Sequence, residues 1–166
     1  MKESSQFSVS SMFLMLLVIF GVFGSTELKA QKGYEYLIPT LETAKTFTVQ
    51  VFEAMPYEGY TFQPSDEVRT FGEQAYHIAY SLEWYNANLG GSQVDWAPGD
   101  EARLNKQELV KYITSQFDAF IETVKSAEES GEFTVGIMSA LQHNSHHRGQ
   151  MVAYLRNNGI APPAYQ

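Results

Sequence analysis

Apolar residues recur at helical spacing along most of this chain, and that periodicity limits it to packed helices. The series Val68, Phe71, Ala75, Ile78, Leu82, Tyr85 and Leu89 returns to one face of a helix and lays an apolar stripe along it. Ser65 is placed to cap its start, with Asp66 and Glu67 favourable in the first turn, and Gly90-Gly91 stops it. An earlier helix is expected from about Tyr34 to Met55, with Pro39 tolerable only in its opening turn. It ends before a turn-rich link from Pro56 to Pro64. Ser92 to Leu104 reads as a loop. Asn105 followed by Glu108 resembles a capping box opening a third helix, whose wide apolar face includes Leu109, Ile113, Phe117, Phe120 and Val124. Gly131 interrupts before a fourth, from about Thr134 to Asn157, which closes at Gly159. No segment reads as a strand. The expected fold is an all-α four-helix bundle of antiparallel type, with connections long enough for a crossover topology.

The chain has 166 residues, a length for one domain, and residues 1–30 read as separate from it. Met12 to Phe23 is an apolar run too short to cross a bilayer, which needs roughly twenty residues. It fits the centre of a secretory signal peptide, with Ala30 as the small residue before cleavage. The expectation is an exported protein, periplasmic or extracellular, with no stable membrane insertion once the leader is removed. An uncleaved N-terminal membrane anchor is the alternative. Residues 31–166 would then form the bundle.

Charge and cysteine content narrow the chemistry. Lys2, Glu3, Glu27 and Lys29 cancel, so the whole net charge of −8 falls on residues 31–166. An acidic surface without a basic cluster is repelled by nucleic acid and by anionic lipid. The chain has no cysteine, which excludes disulfides, thiolate metal sites and a lipid-anchored cysteine. A metal site here must use imidazole and carboxylate.

Three of the four histidines stand in His143-Asn144-Ser145-His146-His147. Residues four apart share a helix face, so His143 and His147 point the same way and His146 points towards solvent. With Ile137 and Leu155 as the zero of the helical wheel, the pair lies at roughly 240° and 280°. With Phe71 and Leu89 as zero, His77 lies at about 240° on its own helix. If those flanks meet, three imidazoles converge, with a fourth coordination position left open as in catalytic sites. The competing reading is that each histidine merely packs or hydrogen-bonds at a core edge. Glu73, one turn before His77, is a candidate fourth ligand, an outer-shell acceptor or a surface charge. Gln74 and Gln150 are equally placed to support the ligands. Arg148 sits at about 20°, inside the apolar stripe. There it needs a carboxylate, helix-end carbonyls or the ligand pocket itself; a structural ion pair is the expected answer, substrate binding the alternative.

These residues resemble the DinB-like (DinB/YfiT) superfamily over nearly all of residues 34–163. The resemblance rests on His143-x-x-x-His147-Arg148-Gly149-Gln150, followed by Leu155-Arg156 and Gly159-Ile160-x-Pro162-Pro163. It rests equally on Tyr60-x-Phe62-x-Pro64 leading to Arg69-Thr70-Phe71-Gly72-Glu73 and His77. It implies an up-down-down-up bundle with one divalent ion per chain, commonly zinc or nickel, on His77, His143 and His147. It also implies a homodimer. Some relatives transfer or isomerise with low-molecular-weight thiols, so the resemblance implies a metal-dependent enzyme of thiol-transferase type with a small-molecule substrate. The leader points instead to a metal-dependent hydrolase, since thiol cosubstrates are chiefly cytosolic. The other functional class is a non-catalytic module that holds a metal or small ligand, consistent with aromatics such as Trp84, Trp96 and Tyr57 in or near the connections. A purely structural bundle is the third reading.

Overall fold

The structure is a computed structural model that describes residues 33–165; the expected leader, residues 1–30, lies outside the described residues. The described residues form four helices: α1 (Ile38–Ala54), α2 (Phe71–Leu89), α3 (Lys106–Ser126) and α4 (Gly131–Asn157), with 3-10 turns at Glu35–Leu37 and Tyr57–Thr61. Among the described residues there is no strand, and no helix is long and apolar enough to cross a membrane.

Hydrogen bonds between helices set their directions. Lys106 at the start of α3 donates to the carbonyls of Glu53 and Met55 at the end of α1 (2.9 and 2.7 Å), and Lys45 pairs with Asp118 further along, so α1 and α3 are antiparallel. Tyr34, just ahead of α1, meets Ser130 and Thr134 at the start of α4, while Thr48 meets Asn144; α1 and α4 therefore run together. Gln74 reaches Gln150 and Leu89 packs beside Gly136, which makes α2 and α4 antiparallel. Tyr112 of α3 donates to Glu83 of α2, whereas Arg103, just before α3, lies over the Tyr76 ring; these two helices are parallel. The order is up-down-down-up. Both α1 and α2 pack against α3 and α4, around fully buried Phe52, Phe71, Ile113, Phe117 and Phe120.

Helix ends explain where the boundaries fall. The first helix begins later than Tyr34 because Tyr34 is a fully buried anchor: its hydroxyl accepts from Ser130 N and donates to Ser130 O. The second helix begins at Phe71, not after Ser65. Thr70 is its cap, accepting from Glu73 N (3.2 Å) while the Glu73 carboxylate accepts from Thr70 N (2.7 Å). Phe71 N also donates to Phe62 O (2.8 Å), so residues 65–69 are held in a turn and Val68 is exposed, outside the stripe that the sequence assigned it to. Asn105 and Glu108 form the expected reciprocal cap of α3. Ser130 caps α4 through Phe133 N, three residues earlier than the periodicity indicates. Gly159, at φ +72°, closes α4. Ile160 N bonds back to Leu155 O and Gly159 N to Arg156 O, a Schellman ending that glycine permits.

Replacing Thr70 by Ala is expected to lower the unfolding free energy by about 1 kcal/mol. Ser65→Ala should stay within about 0.5 kcal/mol. Urea denaturation of both variants distinguishes the two capping positions.

Candidate metal centre

The antiparallel contact of α2 with α4 brings His77 against His143 and His147. Candidate ligand atoms of the three lie within 4.8 Å of one another, and the ring centroids are 4.4 to 5.1 Å apart. His77 Nε2 faces His147 Nε2 at 3.2 Å. Two nitrogens at ordinary zinc distance from one tetrahedral ion are separated by about 3.3 Å, so this pair already has the spacing of two ligands. His143 Nδ1 is buried without a hydrogen-bond partner, a polar atom that a ligand or ion is needed to satisfy. The donor set and its spacing thus fit a divalent metal.

Electrostatics keep these rings neutral, the form in which imidazole is a ligand. Burial pulls His77 down to about 4, with the charges of Arg69 and His147 adding to the effect. Burial likewise pulls His143 to about 4, helped by its histidine neighbours. His147 is lowered too, mainly by burial and against the pull of its Gln150 hydrogen bond.

Each outward nitrogen has a neighbour of its own. Around His147 Nδ1 stand the Gln74 carboxamide nitrogen at 2.5 Å and Gln150 Oε1 at 3.1 Å, and Gln74 donates to Gln150 at 2.6 Å. The two glutamines therefore form one clamp, where the sequence presented them as alternatives. His77 Nδ1 lies 3.4 Å from Glu101 Oε1, within range of its charge though off the line of a good hydrogen bond. Glu101 is itself held by Arg69, whose Nη2 donates to Oε1 at 3.3 Å. Glu73 does not join the histidines: its carboxylate serves the Thr70 cap. His146 is exposed and lies outside the three-histidine group.

Glu101 is the site residue without a role in the sequence reading; Arg69 entered there only as part of the family motif and Trp96 only as a loop aromatic. Trp96 meets the His77 ring edge-on at 5.4 Å. Its loop is strapped to α2 by Trp84 donating to Val94 O (2.6 Å) and Tyr76 donating to Pro98 O (2.9 Å). No periodicity marks a residue on a loop, so only the fold could bring Glu101 to His77. Beside the histidines an open cleft of about 550 Å³ is lined by Arg69, Gln74, Glu101, His147, Gln150 and Tyr154, among others.

Arg148 is 7 % exposed, inside the stripe as the wheel places it, but it makes no ion pair with the described residues. Its Nη1 donates to neutral oxygens, Thr48 Oγ1 and Asn144 Oδ1 at 3.1 Å and Ala44 O at 3.3 Å. Its guanidinium carbon lies 4.8 Å from the centre of the Phe47 ring. The expected carboxylate is replaced by a carbonyl, polar side chains and an aromatic face, which satisfy donors without cancelling charge.

The DinB family model matches residues 30–166. The chain belongs to the DinB family. Two solved structures share the fold. A DinB-like protein from Bacillus cereus superposes with a TM-score of 0.66 at 16% identity, covering 81% of this chain and 99% of its own. The DinB-like protein YjoA from Bacillus subtilis gives 0.63 at 13% identity, covering 80% of this chain and 99% of its own. Among curated proteins none matches the sequence.

The lowered histidine values predict how the metal-free DinB protein responds to acid. The unfolded chain takes up protons near the ordinary value of 6.5, whereas folded His77 and His143 resist protonation down to about 4. Their stabilising contribution is therefore present above 6.5 and is lost as pH falls towards 4. Thermal melts of the chelator-treated protein should show that slope, and His143→Gln should flatten it.

Proposed function

We propose that this DinB-family protein is a metal-dependent enzyme holding one divalent ion, zinc or nickel, on His77, His143 and His147. The observation that carries the reading is the convergence of three uncharged imidazoles beside an open cleft. Three protein ligands leave a position for a reacting group. When bound, the ion supplies a Lewis-acidic charge that lowers the pKa of a water or thiol reaching it.

The chain's own residues divide the remaining work. A proton on His147 Nδ1, donated to Gln150 Oε1, leaves the Nε2 lone pair facing His77 Nε2. Gln74 keeps Gln150 Oε1 turned towards that proton by donating to it. The charge of Glu101, 3.4 Å from Nδ1, favours the His77 proton there and leaves Nε2 as the ligand atom, as a carboxylate beside a metal-binding histidine does. Arg69 fixes Glu101 in turn. Trp96 packs against the His77 ring on one side.

The leader expected at residues 1–30 favours hydrolysis over thiol transfer, since thiol cosubstrates are chiefly cytosolic. On this reading the enzyme works outside the cytoplasm on a small molecule.

Protein purified without a polyhistidine tag should contain about one zinc or nickel ion per chain by elemental analysis, and His77→Ala should lose it. Protein that stays metal-free after incubation with both ions overturns the proposal. Glu101→Gln, which keeps the shape and removes the charge, is expected to weaken metal affinity about tenfold or more in a chelator competition. His147→Ala should abolish turnover of any substrate found by a hydrolase screen.

A further inference from the structure

Arg148 leaves an electrostatic question that the metal centre does not answer. Its charge is buried, and its four hydrogen-bond partners are all neutral. Burying a cation without a counter-charge is costly. The guanidinium is also incompletely used. Nη1 is surrounded by three acceptors, but Nη2 has only Ser145 Oγ at 3.4 Å, and Nε has no hydrogen-bond partner among the described residues.

The structure opens on that side. Two hollows, of about 440 and 350 Å³, are both lined by Phe47, Ser145, Arg148 and Tyr165. Each is of a size typical of small-ligand pockets, roughly 300–1,000 Å³. One continues over Pro39 and Leu141. The other runs over Val152 and Pro162 towards Arg156. Tyr165 packs nearly at a right angle to Phe47, with centroids 5.5 Å apart, against the ring on which the guanidinium rests. Neither hollow shares a lining residue with the cleft beside His147.

We propose that Arg148 anchors a second ligand site, on the α1–α4 face, for a small organic carboxylate with an apolar body. A carboxylate supplies the missing negative charge and takes two parallel N–H bonds from a guanidinium edge. In the larger hollow Phe47, Pro39 and Leu141 offer the apolar walls for the rest of the molecule. A phosphate dianion suits the site less well, because it is strongly hydrated and the walls would strip that water without replacing it.

Calorimetric titration of the full chain with 3-phenylpropanoate, its neutral amide and inorganic phosphate tests the site. The carboxylate is expected to bind with a Kd of about 1 mM or tighter, the amide at least about tenfold more weakly, and phosphate more weakly than the carboxylate. Binding should be unchanged by chelator and in His147→Ala. Ser145→Trp, at an exposed helix position, should fill the hollow and weaken binding at least about tenfold. Absence of carboxylate binding overturns the proposal, as does equal binding of the amide or tighter binding of phosphate. Loss of affinity with chelator or in His147→Ala moves the ligand to the histidine cleft and also overturns it. Full affinity in Ser145→Trp does the same. If that variant folds poorly, the ratio of carboxylate to amide affinity on the unmutated chain decides alone.

Discussion

The antiparallel packing of α2 on α4 is the contact on which the candidate metal centre depends. It places His77 one ring away from His143 and His147 and buries all three enough to keep them uncharged. Neutral imidazoles in contact do not repel as imidazolium ions would, so the contact tolerates them above acid pH. The same burial that makes them acceptable neighbours makes them good ligands. Stability of the helix pair and readiness to hold an ion therefore have one physical cause. They pull apart only when protons compete for the ring nitrogens.

Helix α4 carries two unlike polar features within one turn. His147 lies on the flank towards α2, and Arg148, the next residue, points towards α1. The helical turn of 100° per residue separates their environments. On one side the outward nitrogen of the ring meets carboxamides. On the other, a permanent cation is met by neutral oxygens and a phenyl face. Neutral partners satisfy hydrogen-bond geometry but leave the field of the guanidinium uncompensated, and that difference gives the α1–α4 face a chemistry of its own.

The loop between α2 and α3 shows how irregular backbone is fixed beside a site. Trp84, Asn88, Tyr76 and Tyr80 of α2 each bond to its main chain, and Arg69 and His77 hold Glu101 between them. With its polar groups tied to one helix, the loop delivers a carboxylate to His77 as reproducibly as a helix position would. A free loop would pay for that ordering in entropy at every binding event.

Local pattern determined the helices, the Asn105–Glu108 cap, the Gly159 ending and the shared flank of His77, His143 and His147. Each of these depends on residues a few positions apart, where the geometry of one helix is enough to relate them. The motif His143-x-x-x-His147-Arg148-Gly149-Gln150 carried the family as well. Only the tertiary structure decided the rest. Thr70 displaced Ser65 as the cap because Phe62 and the Glu73 carboxylate bind there, and that same cap removed Glu73 from the ligand set. Glu101 became the partner of His77, and Arg148 received neutral oxygens from α1 instead of a carboxylate. The last two outcomes join residues 24 and about 100 positions apart. At that separation no backbone periodicity relates two side chains, and the packing of whole helices alone sets their distance.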